Sequence, residues 1–213
     1  MENINIYDAS LRPKGIMDRK LAHIQGEWHI TFHCWIVNKE NQSILFQLRS
    51  KDKKNYPNMF DISAAGHLVA NEEIGDGIRE VTEELGINMC FNNLHSLGYR
   101  VEVDDQENGQ KNREYQSVYI AEISKELSEY RPQKEEVSGL MWMKLVDALS
   151  LFSDRSDTAM MSGIIYDSVT NQWIVSERTV SKADFIPRIQ NYYLTIAIMC
   201  QRLFNNDFPL SIS

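Results

Sequence analysis

No stretch of this chain is long and apolar enough to span a bilayer. The strongest run, Tyr192 to Cys200, falls far short of the roughly 20 residues a spanning helix needs, so no membrane partner is expected. Basic charge is also scarce. With Lys+Arg at 22, Asp+Glu at 30 and a net charge of −8, the chain lacks the electrostatic footprint of a nucleic-acid binder. Cysteine is rare and scattered: Cys34, Cys90 and Cys200 are odd in number and lack metal-ligand spacing. That excludes a disulfide scaffold and points to a reducing, cytoplasmic setting. The start MENINIYDAS has neither a basic region nor a long apolar run, so no secretory signal is expected. Repeats and low-complexity segments are missing too. What remains is 213 residues with 43% hydrophobic content, enough for one globular domain, or one domain with an extension, around a proper core. The negative charge does not exclude a phosphorylated small substrate, because a bound cation inverts the local field.

Periodicity divides the chain into elements. The segment NIYDASLRPKGIMDRKLAHIQGEWH reads as a short strand, a turn around Pro13 to Gly15 and a polar connection. Ile30 to Val37 and SILFQLRS are β-branched and aromatic runs separated by the polar turn NKENQ, which predicts an antiparallel pair. The loop KDKKNYPN leads into FDISAAGH, a short strand that delivers Gly66. Further strands are expected at Leu94–Val103, at Arg113–Ile123 and in VSGLMWM, with a loop at DDQENGQKN whose Asn108-Gly109 pair signals a turn. A short helix should cover Lys144 to Phe152, followed by a hairpin in GIIYDSVTNQWIVSE. A last helix from about Pro187 would place Ile189, Tyr192, Tyr193, Ile196, Cys200 and Leu203 on one stripe. Core packing is the plain reading of that stripe; a dimer interface or a lid over a substrate is the sharper one.

The stretch Gly66 to Ile87, GHLVANEEIGDGIREVTEELGI, carries the chemistry. Ile74, Ile78, Val81 and Leu85 share one side of a helix running Ile78 to Leu85, with Asp76 as its expected N-cap. Glu80, Glu83 and Glu84 sit at i, i+3 and i+4, where like charges repel by roughly 0.2–0.5 kcal/mol per pair. Two of them precede Gly86, a helix stop, where the negative end of the helix dipole opposes them. A solvated acidic face would tolerate this; a divalent cation would explain it.

Gly66, Glu72, Arg79-Glu80, Glu83-Glu84 and Gly86-Ile87 together resemble the signature of the Nudix hydrolases, and REVTEELGI fits all its fixed positions. Between Glu72 and Arg79 the chain is one residue short of the family spacing, so either Glu72 is the anchoring glutamate on a shortened loop or Asn71 stands in its place. The resemblance implies an α/β/α sandwich of α/β (α+β) class with a mixed central sheet, over residues 1–152 with the signature at 66–87. Residues 153–213 would then be a C-terminal extension, a hairpin and a helix packed on the same domain. It also implies magnesium, with manganese as a substitute, held by Glu80, Glu83 and Glu84 and helped by a backbone carbonyl near Gly66. Arg79 would hold the loop by pairing with Glu72.

From Ile6 to Met143 the chain looks like the branch of that family containing isopentenyl diphosphate isomerase and its hydrolase-like relatives. This similarity implies that Arg49 and Lys53 hold substrate phosphate, that His29 and His67 lie near a metal or the substrate, and that Glu114 is a base or a further ligand. Plain alternatives exist for each: loop charges, structural histidines, a polar strand residue. Ala65 stands where the isomerase carries its proton-donating cysteine. The expectation is therefore a metal-dependent hydrolase cleaving a small-molecule diphosphate by water attack, with Glu72, Arg79, Glu83 and Glu114 as its catalytic set. The alternatives are an isomerase-like enzyme and a catalytically silent ligand-binding module. A homodimer is left open.

Overall fold

A strand buried on both faces needs apolar residues at nearly every position, and Ile30 to Val37 has them. In the computed structural model, which describes residues 2–106 and 109–212, this run is β3 (His29–Asn38), buried along almost its whole length. β8 (Lys111–Glu122) runs parallel to it, from His29 opposite Glu114 to Val37 opposite Glu122. β4 (Ser43–Arg49) is antiparallel to β3 as expected, but only Val37–Ile44 and Asn38–Ser43 pair. Beyond that point β6 (Ala64–His67) takes the edge of β3, and β9 (Val137–Lys144) and the two-residue β5 (Phe60–Asp61) flank β4.

β7 (His95–Asp105) closes one side of the sheet against β8. On the other side β10 (Ala159–Asp167) and β11 (Gln172–Val180) continue it from β9, giving nine strands in all.

Each face of the sheet buries a separate cluster. On one, Trp35, Phe46, Val118 and Met141 pack against α3 (Leu145–Phe152) and α4 (Tyr192–Phe204) through Phe152, Tyr193 and Ile196. On the other, Phe32, Leu45, Tyr119 and Leu140 pack against Val81 and Leu85 of α2 (Arg79–Leu85). Each of these side chains contributes about 1.5–3 kcal/mol on full burial. The result is the expected α/β/α sandwich with a mixed sheet.

Several local expectations are corrected. The turn expected at Pro13–Gly15 lies earlier: β1 (Asn3–Tyr7) pairs with β2 (Pro13–Asp18) across residues 8–12, where the Asp8 carboxylate accepts from the Ser10 and Arg12 N–H groups. The polar connection contains a helix, α1 (Arg19–Gln25), capped by Asp18. Asp76 is not an N-cap. It lies inside a 3₁₀ turn, Ile74–Ile78, and its carboxylate accepts from the N–H of Glu73, the true cap, at 2.8 Å. The last helix begins at Tyr192 and not at Pro187, because Gln190 and Asn191 both take left-handed backbone conformations that no helix continues through. The Asn108-Gly109 turn signal includes residue 108, outside the described residues; the flanking strands reach Asp105 and Lys111, further into the loop than expected.

Candidate active site

The loop from β6 to α2 is tied together by one guanidinium. Arg79 donates from Nε to Glu72 Oε1 (2.6 Å) and from Nη2 to Glu72 Oε2 (3.1 Å) and to the His67 carbonyl (2.9 Å). Its Nη1 reaches Glu80 (2.6 Å) and Glu83 (3.1 Å). Glu72, and not Asn71, is thus the partner of Arg79, and its second oxygen also accepts from the Val69 N–H at 2.8 Å. A 3₁₀ turn rises about 2.0 Å per residue against about 1.5 Å in an α-helix, so the turn at Ile74–Ile78 covers the distance to the helix with one residue fewer. Burial acts to raise the Glu72 carboxyl, but the bonds from Arg79 and Val69 prevail and hold it below the ordinary range. The same contacts raise Arg79.

The three glutamates of α2 do not share one environment. Glu83 stays about half exposed. Glu80 lies against Gly66 so closely that a Cβ there would fall 2.1 Å from its carboxyl carbon, so a side chain at residue 66 would displace that carboxylate. Glu84 is buried, accepting from the Ala65 N–H (3.1 Å) and the Gln47 side-chain amide (3.2 Å). Two neutral donors do not offset that loss of hydration: burial, with Glu80 nearby, pushes the Glu84 carboxyl up to about 8. Burial also raises Glu80. Lys53 attracts Glu84 but is ion-paired with Glu136, and burial with the neighbouring Arg49 holds its ammonium below the ordinary range. Two adjacent, undercompensated carboxylates cradled against a glycine form an all-oxygen donor set, and that set fits a hard divalent cation.

Arg49 is largely engaged with its own loop. Nε and Nη2 donate to the carbonyls of Tyr56 (3.3 Å) and Asn55 (3.0 Å), leaving Nη1 3.6 Å from Asp61. Asp61 in turn accepts from Arg188 at 2.7 Å.

Glu114 and the histidines gather elsewhere. Side chains alternate along β6, so Gly66 faces α2 while His67 points to the opposite side of the sheet. There His67 Nε2 lies 3.1 Å from Nε2 of His23, which α1 contributes, and its ring stacks on His29. One ring nitrogen from each of the three lies within 4.8 Å of the others. Burial, ahead of neighbouring positive charge, lowers His23 and lowers His67 further still, favouring neutral rings. His29 directs Nδ1 at the Glu27 carbonyl (2.9 Å), so in the neutral ring Nδ1 carries the proton and buried Nε2 is a bare lone pair. Glu114 Oε1 faces that lone pair at 3.9 Å. His23 escaped the sequence reading because it lies in a segment read as a polar connection; its i, i+6 spacing to His29 carries no recognisable pattern.

The chain is similar to known proteins in sequence and fold. The family model described as NUDIX domain matches residues 27–161. An uncharacterized Nudix hydrolase of Clostridium acetobutylicum is 35% identical over 196 residues, covering 90% of this chain and 93% of that protein. An isopentenyl-diphosphate Delta-isomerase of Pectobacterium atrosepticum is 25% identical over 146 residues, 68% of this chain and 78% of the isomerase. Among solved structures, the crystal structure of DR0079 from Deinococcus radiodurans shares the fold with a TM-score of 0.55 at 16% identity, over 72% of this chain and 90% of that one.

Proposed function

The chain belongs to the Nudix family, and from that premise we propose a metal-dependent hydrolase that cleaves a diphosphate linkage in a small organic molecule by water attack, working in the cytoplasm. The observation that carries this reading is Glu84: a buried carboxylate raised to about 8, beside Glu80 in the glycine cradle of Gly66. Glu80, Glu83 and Glu84 would hold magnesium, or manganese in its stead. The ion, when bound, neutralises phosphoryl charge and lowers the pKa of an attacking water.

The protein's own part is positioning. Arg79 locks the loop to the helix through Glu72, so that Gly66 and the three glutamates keep one geometry. Glu83, the exposed member, also bonded to Arg79 at 3.1 Å, would take a proton from water. Lys53 and Arg49 would hold substrate phosphate, exchanging their present partners Glu136 and Asp61 for it. Residues 153–213 act as an extension of the domain, with α4 packed into the core. A phosphate-release screen over nucleoside diphosphate derivatives, thiamine diphosphate and prenyl diphosphates, with and without magnesium, tests this. Metal-stimulated release supports it, and silence across the panel favours a binding module.

The histidines support a second centre. His23, His29 and His67 bring one ring nitrogen each within 4.8 Å of the others, and Glu114 Oε1 faces His29 Nε2 at 3.9 Å beside them. A nitrogen-rich set of this kind suits a transition metal better than magnesium. The same cluster favours isomerisation as the alternative activity, but Ala65 offers a methyl group where that reaction needs a proton donor.

A further inference from the structure

The hydrogen bonds behind Glu114 run in one direction, and their direction is set by a guanidinium. In the antiparallel β7–β8 pair, Arg100 lies opposite Gln116 and Glu102 opposite Glu114. All four side chains are buried. Arg100 has only donors. Its Nη1 bonds Glu102 and, at 2.5 Å, the Gln116 side-chain oxygen. With its oxygen committed to Arg100, Gln116 can turn only its amide N–H toward Glu114, and it donates to Glu114 Oε2 at 2.8 Å. Glu114 is thereby held with Oε2 occupied and Oε1 presented to His29. Arg100 itself is held by the C-terminal segment: Nη2 donates to the Ile189 carbonyl at 2.8 Å, and the guanidinium lies 4.4 Å above the Tyr192 ring. The Tyr192 hydroxyl accepts from Trp35 Nε1 (3.1 Å) and meets His33 Nδ1 (3.1 Å), so the ring is fixed as well. The two left-handed residues that follow Ile189 turn the chain from this carbonyl into α4.

We propose that Arg100 and Gln116 are positioning residues for the histidine–Glu114 centre, and that the segment 189–192 holds Arg100 for that purpose. The inference rests on the second centre described above and goes beyond it: three residues outside the ligand set, two of them on different strands and one on the C-terminal helix, decide how Glu114 is oriented. Outer partners of this kind are worth about 10–100-fold in metal affinity.

Cobalt(II), whose visible spectrum reports its coordination, is the probe. The full-length protein should bind an equivalent that His67→Ala abolishes. Arg100→Met and Gln116→Met should each weaken that equivalent by about 10–100-fold and alter its spectrum, while a folded far-UV signal and magnesium binding at α2 persist. Arg100→Lys, which still donates to the Gln116 oxygen, should stay within a few-fold of wild type. If Arg100→Met fails to fold, Gln116→Met carries the test alone. An intact cobalt site indifferent to Gln116→Met, or an Arg100→Lys protein as weak as Arg100→Met, returns these residues to packing and overturns the positioning role. A wild-type protein with no His67-dependent cobalt site overturns the second centre and the positioning role together. The phosphate-release screen judges the hydrolase reading independently of either.

Discussion

Replacing Glu84 by glutamine should stabilise the metal-free protein, and the gain should grow with pH. The wild-type carboxyl titrates at about 8 in the fold, against an ordinary value of 4.5. An acid whose folded pKa is raised adds no penalty below its unfolded pKa. The penalty enters as pH climbs through 4.5, because the unfolded chain ionises there and the folded chain does not. It saturates above pH 8, once both states are ionised. At about 1.36 kcal/mol per pH unit, the penalty is roughly 3 kcal/mol at pH 7 and reaches a ceiling of about 5 kcal/mol above pH 8.

Glutamine has no proton to lose, and its side-chain oxygen can keep the bonds from Ala65 and Gln47. In a chelator, the difference in stability between variant and wild type should therefore be near zero at pH 4.5 and several kcal/mol at pH 8.5. For a protein of this size about 1 kcal/mol moves Tm by roughly 2–4 °C, so urea or thermal unfolding resolves the effect easily. Magnesium should close the gap by stabilising the wild type alone. A variant less stable than wild type at pH 8.5 in chelator, or a difference flat from pH 4.5 to 8.5, refutes the reasoning that Glu84 is an undercompensated buried carboxylate.

Other predictions follow from the same geometry. Glu83→Gln should lower kcat by about 10²–10⁴ if this exposed carboxylate takes the proton from water, with stability nearly unchanged; hydrolysis close to wild type at equal magnesium argues against that role. Gly66→Ala should displace Glu80, since its Cβ would overlap that carboxylate, and calorimetry should show magnesium affinity falling while the protein stays folded. Arg79→Lys keeps the charge but loses the fork that joins Glu72, Glu80, Glu83 and the His67 carbonyl, so limited proteolysis should find residues 67–78 newly exposed. Incubated with isopentenyl diphosphate, the protein should yield no dimethylallyl diphosphate by NMR, because Ala65 has no proton to give.

The linear sequence determined the local matters. A run rich in β-branched and aromatic residues from Ile30 to Val37 had to become a strand buried on both faces. Gly86 had to stop α2, since its backbone takes a left-handed conformation and the chain passes beside the Arg131 carbonyl. The order Gly66, Glu72, Arg79, Glu80, Glu83, Glu84 was enough to mark the metal-binding helix, because those residues interact within about one loop and two turns. What lies between distant segments was decided only by the tertiary structure. The sharing of the i, i+3, i+4 glutamates into exposed, cradled and buried positions depends on β6 and Gln47, which no spacing along α2 encodes. Glu114, expected as a base or a further ligand, faces His29 on the adjacent strand, because β8 pairs in parallel with β3 in a register that sets residue 114 opposite residue 29. His23 joins them from a helix hidden in a polar stretch. Arg100 is one charge on a strand in the sequence, and only the fold lays the Ile189 carbonyl and the Tyr192 ring against it. Short-range order follows from the residue types and their spacing; the meeting of segments distant in the chain follows from strand register and from which face of the sheet each side chain is given.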